Sequence, residues 1–171
     1  MLSGGCGGSG LYRGVVLVIE KATYDAIVAH ARKDHPDEAC GVVAGAEGSD
    51  RATRFVPMLN AAMSPTFYEF DSGDLFRLYK EMDSRDEEPV VIYHSHTHTE
   101  AYPSPTDVRL ASEPGAHYVV VGTAAHGTGP GPVAFRSFRI VDGEIAEEEV
   151  EIVTSYDAGA DGTAQPGESS L

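Results

Sequence analysis

Two histidines spaced two residues apart are the most informative feature of this sequence. His94 and His96 flank Ser95 directly after the apolar run Val90–Tyr93. In an extended strand, alternate side chains point to the same face, so both imidazoles are expected on one side. Two neutral imidazoles on one face form half of a metal site. The pattern therefore predicts that a further ligand comes from another segment, while packed or solvated histidines without a metal are the alternative.

Asp107 is the candidate for that ligand. It ends the run Ser104-Pro105-Thr106-Asp107, which predicts a helix start with Ser104 as the N-cap. From the first turn of such a helix, the carboxylate can fold back across the loop toward the histidines. Two nitrogens, one carboxylate oxygen and a water form an open tetrahedral zinc site. A purely structural helix start is the alternative interpretation of the same residues.

The apolar run Ala39–Ala46 is preceded by an acid, Glu38. A carboxylate is costly to bury without a role, which makes Glu38 a candidate member of the same site. A solvated residue in the turn after Pro36 is the alternative. Cys40 lies within the run, where a thiol stays protonated and unreactive, so a cysteine nucleophile is not expected.

Two polar loops bear on the site. His98 continues the alternate spacing of the histidines and would compete with Asp107 as a ligand if the strand continued. Residues 97–103 are polar and contain proline, however, which is typical of a loop. Residues 60–68 form another polar loop with a proline, and they are a candidate wall of a substrate groove.

The elements that would position these residues alternate in type. Apolar and β-branched runs predict strands over residues 15–19, 39–46, 54–59, 90–93, 117–123, 133–140 and 144–153. Helical spacing of apolar residues predicts helices over 20–34 and around 75–82, with a short third helix opening at Ser104. Asp142-Gly143 favours a hairpin turn. We therefore expect an α/β (α+β) domain with a mixed β-sheet and two or three helices.

The 171-residue chain is long enough for one domain. Composition predicts a flexible glycine-rich tail at 1–10, a folded domain at 11–153 and a disordered acidic tail at 154–171. The G-x-G-x-x-G at 5–10 follows no strand and opens no helix, which argues against a dinucleotide site. No apolar run approaches the roughly 20 residues of a membrane helix. With no secretory signal and no C-x-x-C pair, we expect a cytoplasmic protein.

The chain carries a formal net charge of −15, from 27 acidic residues against 12 lysines and arginines. A field of that sign repels phosphate groups, which argues against nucleic acid and anionic membranes as partners. Acidic stretches at 83–88 and 144–151 would attract a basic patch on a protein partner, although they also serve solubility.

Together, the candidate residues resemble the signature of the JAMM (MPN+) metallopeptidase family, which is a glutamate, then H-S/T-H, seven residues and S-x-x-D. Here the signature reads Glu38, His94-Ser95-His96, seven residues, and Ser104-Pro105-Thr106-Asp107. The glutamate and all five positions of the fixed-spacing part match. The resemblance covers about residues 15–153 and implies a cytidine-deaminase-like architecture.

The resemblance also implies a role for each residue. His94, His96 and Asp107 would hold Zn²⁺. Glu38 would act as the general base and return the proton to the leaving amine, and Ser104 would donate a hydrogen bond to the oxygen of the tetrahedral intermediate.

Within the family, residues 35–41, 64–68 and 90–96 are most similar to an actinobacterial branch. That branch implies a substrate: a ubiquitin-like sulfur carrier with a C-terminal Gly-Gly tail and a cysteine joined to its terminal glycine. Hydrolysis would release the cysteine for cysteine biosynthesis. A peptidase that matures a carrier for another thio-compound pathway and a non-catalytic binding module are the alternatives.

Overall fold

The computed structural model describes residues 16–125, 129 and 131–157. The predicted tail at 1–10, with its glycine motif, and the tail beyond 157 lie outside the described residues. The elements are, in chain order, β1 (Val16–Glu20), α1 (Lys21–Asp34), β2 (Cys40–Ala46), β3 (Arg54–Met58), α2 (Ser72–Ser84), β4 (Glu87–His96), α3 (Pro105–Leu110), β5 (His117–Gly122), β6 (Ala134–Val141) and β7 (Glu144–Val153).

The strands form one seven-stranded mixed sheet in the order β1-β7-β6-β5-β4-β2-β3. β4 and β5 are parallel, as are β1 and β7, and the other neighbouring pairs are antiparallel. The expected hairpin forms between β6 and β7, and β2 and β3 form another antiparallel pair of consecutive strands. Asp142 and Gly143, at φ 50° and 79°, connect the second hairpin in the left-handed region that such tight turns need. The mixed α/β fold class is confirmed.

Each face of the sheet buries its own apolar cluster. Ile27 and Ala31 of α1 pack against one face, together with Val91 and Tyr93 of β4. Leu78 and Met82 of α2 pack against the other face with Ile92, and α3 adds Val108 to that side. Because side chains alternate along β4, His94 lies on the face of Ile92, the one covered by α2 and α3.

β4 is longer than the apolar run 90–93 that predicted it. It begins at Glu87 and ends at His96, since β2 and β5 pair with it on both sides. Glu87 places a negative charge at the start of this central strand, and Arg54 on β3 balances that charge with an ion pair. The predicted strand 90–93 was therefore too short at both ends, and both histidines belong to β4.

Ordered contacts continue past β7. The hydroxyl of Tyr156 donates to the carbonyl oxygens of Val18 and Ala52. None of the helices in the described part of the chain is long and apolar enough to cross a membrane.

Candidate active site

The last residues of β4 carry the site. His94 pairs with Cys40 on β2 and with Val120 on β5, and His96 pairs with Gly122. Their neighbours on both sides hold the backbone extended, so the two imidazoles share one face, as the spacing predicts. His94 is 4% exposed and His96 is 5% exposed. Two buried histidines therefore lie at the end of a central strand.

The structure brings Asp107 to these histidines. The Nε2 atoms of His94 and His96 are 3.0 Å apart, and Oδ2 of Asp107 lies 3.2 Å from each. Ligands bound at 2.0–2.1 Å in a tetrahedral zinc site are about 3.3 Å apart. The three atoms form a triangle of nearly that size. Among the described residues, they are the group of histidine, cysteine and acid side chains that could hold a metal.

The start of α3 also orients the candidate ligand Asp107. Ser104 caps α3 by accepting a hydrogen bond from the N–H of Asp107 at 3.1 Å, and the Ser104 N–H donates to Oδ2 of Asp107 at 2.7 Å. This capping box fixes the carboxylate of Asp107 in the orientation that faces the histidines. The two interpretations of Ser104-Pro105-Thr106-Asp107 are therefore compatible.

The register between β2 and β4 places Glu38 at the same site. Cys40 opposes His94, and Ser95 exchanges hydrogen bonds with Ala39, so Glu38 falls beside His96. Glu38 is 5% exposed and lines the pocket with Asp107. The candidate base and the candidate ligands come together through antiparallel pairing of segments far apart in the chain.

The electrostatics of the site differ between its two acids. Burial raises the pKa of Glu38 to about 7, with His96 opposing and Asp107 reinforcing the shift. Burial also disfavours ionisation of Asp107, but hydrogen bonds with His94 and His96 hold its pKa well below the ordinary range. Burial lowers the pKa of His94. Asp107 is thus an anionic carboxylate suited to a cation, whereas Glu38 can hold or release a proton near neutrality.

Each histidine is oriented by a different contact. Nδ1 of His96 lies 2.7 Å from the carbonyl oxygen of Glu100, a partner that leaves Nε2 for the site. Gly122 lets Ala101, in the loop after β4, pack closely against β5. A Cβ added at Gly122 would lie only 3.2 Å from the Cβ of Ala101. His94 is instead stacked on Tyr68, with ring centroids 4.5 Å apart.

A pocket of about 230 Å³ opens beside Glu38, His96 and Asp107. Residues 65–67 form one wall, which agrees with the expectation that the 60–68 loop lines a groove. Ser104 and Thr106 at the start of α3 form another, and His98 and Thr99 complete the rim. Phe67 also borders a neighbouring apolar groove of about 280 Å³. The pocket gives a small reacting group access to the site.

The two alternatives at His98 and Cys40 are not supported. His98 follows the end of β4, is exposed and contacts Thr97 through Nδ1, so it is a loop residue. Cys40 is fully buried, and burial raises the pKa of its thiol to about 12. Neither side chain is placed to replace Asp107 or to act as a nucleophile.

Several residues that hold the site were missed from the sequence. Ser95 accepts a hydrogen bond from Ala39 N–H at 2.8 Å, and Thr97 contacts the carbonyl oxygens of Pro36 and Pro65. Asn60 was noted only as the start of a polar loop. The sequence offered one signal for a special role of Asn60, which is that it is the only asparagine of the chain.

Comparison with known proteins identifies the family of this chain. The family described as prokaryotic homologs of the JAB domain matches residues 20–141. A Mycobacterium tuberculosis protein named CysO-cysteine peptidase is 59% identical over 141 residues, covering 82% of this chain and 94% of the relative. A Haloferax volcanii desampylase is 36% identical over 101 residues, covering 56% of this chain and 73% of the relative.

The fold is also shared. The solution structure of a Desulfitobacterium hafniense protein superposes with a TM-score of 0.69 at 28% identity, covering 84% of this chain and 96% of that protein. The family match and the curated relatives cover most of the folded part of the chain. This protein therefore belongs to the prokaryotic JAB-domain branch of the JAMM family.

Proposed function

We propose that this chain is a zinc-dependent peptidase that hydrolyses the amide bond after the C-terminal glycine of a ubiquitin-like sulfur carrier and releases cysteine. The observation that carries the proposal is the triangle of His94 Nε2, His96 Nε2 and Asp107 Oδ2 beside Glu38. The 59% identity to a CysO-cysteine peptidase supports the substrate class.

The donor set suits zinc. Two neutral imidazoles and one carboxylate are the ligands of many catalytic zinc sites, which leave a position open. His94, His96 and Asp107 would hold the ion. When bound, zinc supplies a Lewis acid and makes water a nucleophile near neutral pH.

Glu38 would move the proton. Its carboxylate takes a proton from the attacking water and returns it to the leaving amine. A pKa near the working pH suits both steps, and burial raises the pKa of Glu38 to about 7. Neighbouring Asp107 stays ionised, so the two acids of the site divide ligand binding and proton transfer between them.

Ser104 would stabilise the developing charge on the substrate oxygen. Its Oγ accepts the Asp107 N–H in the capping box, which uses a lone pair and leaves the hydroxyl proton free. Ser104 lines the pocket, so that proton can be donated to the oxygen of the scissile carbonyl.

A ubiquitin-like carrier fits the remaining features. Its extended Gly-Gly tail has no side chains, so it can enter a narrow pocket and be positioned by backbone contacts. The net charge of −15 favours encounter with a carrier that presents a basic patch. The proposal includes a cytoplasmic location, in keeping with the reduced, buried Cys40.

The test is hydrolysis of a purified carrier–cysteine adduct. We expect free cysteine to be released, release to stop after chelation, and zinc to restore it. Metal analysis should give about one zinc per chain. Undiminished release in a chelated, zinc-free sample would contradict the mechanism.

Two further substrates separate this function from its alternatives. One is a carrier extended by residues other than cysteine after Gly-Gly, and the other is a carrier joined to a lysine of a second protein, the kind of reaction suggested by the name of the Haloferax relative. Preference for the cysteine adduct in kcat/KM supports the proposal. Faster hydrolysis of either alternative assigns the chain to that reaction instead.

A further inference from the structure

The β2–β4 pairing brings Glu38 beside His96, but Glu38 itself lies outside β2, which begins at Cys40. The backbone of Glu38 is held by the loop of residues 60–70, which we call the site loop. The Glu38 N–H donates to the carbonyl oxygen of Ser64 at 2.9 Å. The Glu38 carbonyl oxygen accepts from the side-chain amide of Asn60 at 3.0 Å. The position of the proposed base therefore depends on this loop.

Asn60 is buried, at 4% exposure, and all of its side-chain hydrogen-bonding capacity is used. Its Nδ2 also donates to the carbonyl oxygen of Phe67 at 2.9 Å. Its Oδ1 accepts from the N–H groups of Ala62 at 3.0 Å and Glu69 at 3.1 Å. If the amide were flipped, Oδ1 of Asn60 would face the carbonyl oxygens of Glu38 and Phe67 and could accept nothing from them. These contacts therefore fix one orientation of the Asn60 amide. Asn60 thus connects Glu38 to both arms of the site loop.

The same loop forms the wall of the pocket opposite α3. Pro65, Thr66 and Phe67 line the pocket with Glu38. The loop is closed at its base by a bridge between Asn60 and Phe70. The buried side-chain amide of Asn60 therefore fixes the position of Glu38 relative to this pocket wall.

From these contacts we infer that Asn60 is a positioning residue for hydrolysis, and that it acts by fixing the backbone of Glu38 and the pocket wall as one unit. This inference rests on the proposed function, in which Glu38 is the base. Asn60 is neither a metal ligand nor part of the pocket lining. Because misplacing a catalytic group by about 1 Å can cost 10²-fold in rate, its loss lowers kcat rather than substrate affinity.

Asn60→Asp and Asn60→Ala test this role. The aspartate keeps the size of the side chain but sets a carboxylate oxygen against the carbonyl oxygens of Glu38 and Phe67. For zinc-loaded protein we expect kcat to fall about 10-fold to 100-fold. KM should stay within about threefold, and zinc content should be unchanged, because no ligand is displaced.

The matched control is Ser137→Ala. It removes a fully buried hydroxyl that donates to Glu148 at 2.7 Å, on β6, which β5 separates from β4. It should lower the melting temperature and leave kcat unchanged. A kcat within twofold of wild type for both Asn60 variants, or an increase in KM alone, would overturn the inference.

Amide hydrogen exchange gives a readout without substrate. In the wild-type protein, the amides of Glu38, Ala62 and Glu69 should be protected to a similar degree, and Asn60→Asp should weaken protection at all three. The inference would be overturned, even if neither variant folds, if the wild-type Glu38 amide is protected while the amides of Ala62 and Glu69 exchange freely. If the wild type hydrolyses no carrier adduct, the proposed function fails, while these exchange rates still decide the connection through Asn60.

Discussion

The parallel strands β4 and β5 each carry a buried histidine–carboxylate cluster, and the two clusters use their atoms differently. At the end of β4, Nε2 of His94, Nε2 of His96 and Oδ2 of Asp107 face one another across 3.0–3.2 Å. Their lone pairs converge on one point, and a pocket opens beside it. These three atoms are close enough together to bind one cation.

The cluster at the start of β5 is arranged around hydrogen bonds between its own members. His117 is fully buried, and its Nδ1 contacts Glu148, while its Nε2 lies 2.8 Å from Oδ1 of Asp50. Ser137 and Arg139 donate to the same Glu148 carboxylate. The two ring nitrogens point to different partners, so no common point is left for an ion.

Histidines and carboxylates are present in both clusters, so residue type does not separate a metal site from a structural network. The direction of the donor atoms does. A metal site needs several lone pairs aimed at one point, whereas a buried ion pair is stable when each charge is matched by its own partner. Equivalent substitutions in the two clusters should therefore have opposite consequences for zinc and for stability.

The largest expected difference comes from replacing one histidine in each cluster by glutamine. His96→Gln removes a ligand, so zinc should fall from about one per chain to background and hydrolysis should be lost. His117→Gln should keep full zinc and activity in the folded fraction. Metal analysis and cysteine release measure both. Zinc loss from both variants, or from neither, would break the distinction between the clusters.

Glu38→Gln should give the next largest effect. The amide cannot accept the proton of the attacking water, so kcat should fall about 10²-fold to 10⁴-fold. Zinc should remain bound, because Glu38 is outside the ligand triangle. Glu88→Gln is the control, since Glu88 lies near the opposite end of β4 and accepts from Gly48 N–H. Near-normal kcat in Glu38→Gln would show that another group moves the proton.

Ser104→Ala should have a smaller effect with two components. Loss of the hydroxyl donor should lower kcat about 10²-fold to 10³-fold. Loss of the α3 cap should lower stability by about 1 kcal/mol. Asp71→Ala separates the two, because Asp71 caps α2 by accepting from Asp74 N–H at 2.9 Å and is not part of the pocket lining. If both variants lose stability equally and keep kcat, Ser104 is only a cap.

The smallest effect on hydrolysis is expected at Glu148, where stability changes instead. Burial opposes ionisation of Glu148, but hydrogen bonds from His117 and Ser137 lower its pKa. The folded protein therefore holds this proton less tightly than the unfolded chain. The stabilisation is present above about pH 4.5 and is lost as pH falls through the lower pKa of the folded state.

Glu148→Gln should lower the free energy of unfolding at neutral pH by about 1 to 3 kcal/mol, since it removes the buried carboxylate that accepts from Ser137 and Arg139, while Asp50 remains beside His117 and Arg139. The decline in stability below about pH 4.5 should become shallower. Thermal unfolding from pH 3 to 7 measures both, with Glu149→Gln on the same strand as the exposed control. Loss of zinc from Glu148→Gln would mean that the two clusters are coupled.

Local sequence patterns were sufficient for much of this protein. The switch between helical and alternate spacing predicted the strands, the helices and the hairpin turn at Asp142-Gly143, because these patterns reflect neighbouring residues. The spacing of His94 and His96 predicted that they share a face. The start of α3 was also predicted, since Ser104 and Asp107 form a capping box within a single turn.

Only the tertiary structure decided how these pieces act together. Glu38 lies beside His96 because β2 and β4 pair in one register, and no pattern within either segment specifies that register. His117 is as buried as the site histidines, and only its partners on other strands show that it is structural. The role of Asn60 depends on contacts with Glu38, 22 positions away. The sequence determined which ligand and acid–base side chains were available. Strand pairing decided which of these side chains come together at one site, because that depends on contacts between residues far apart in the chain.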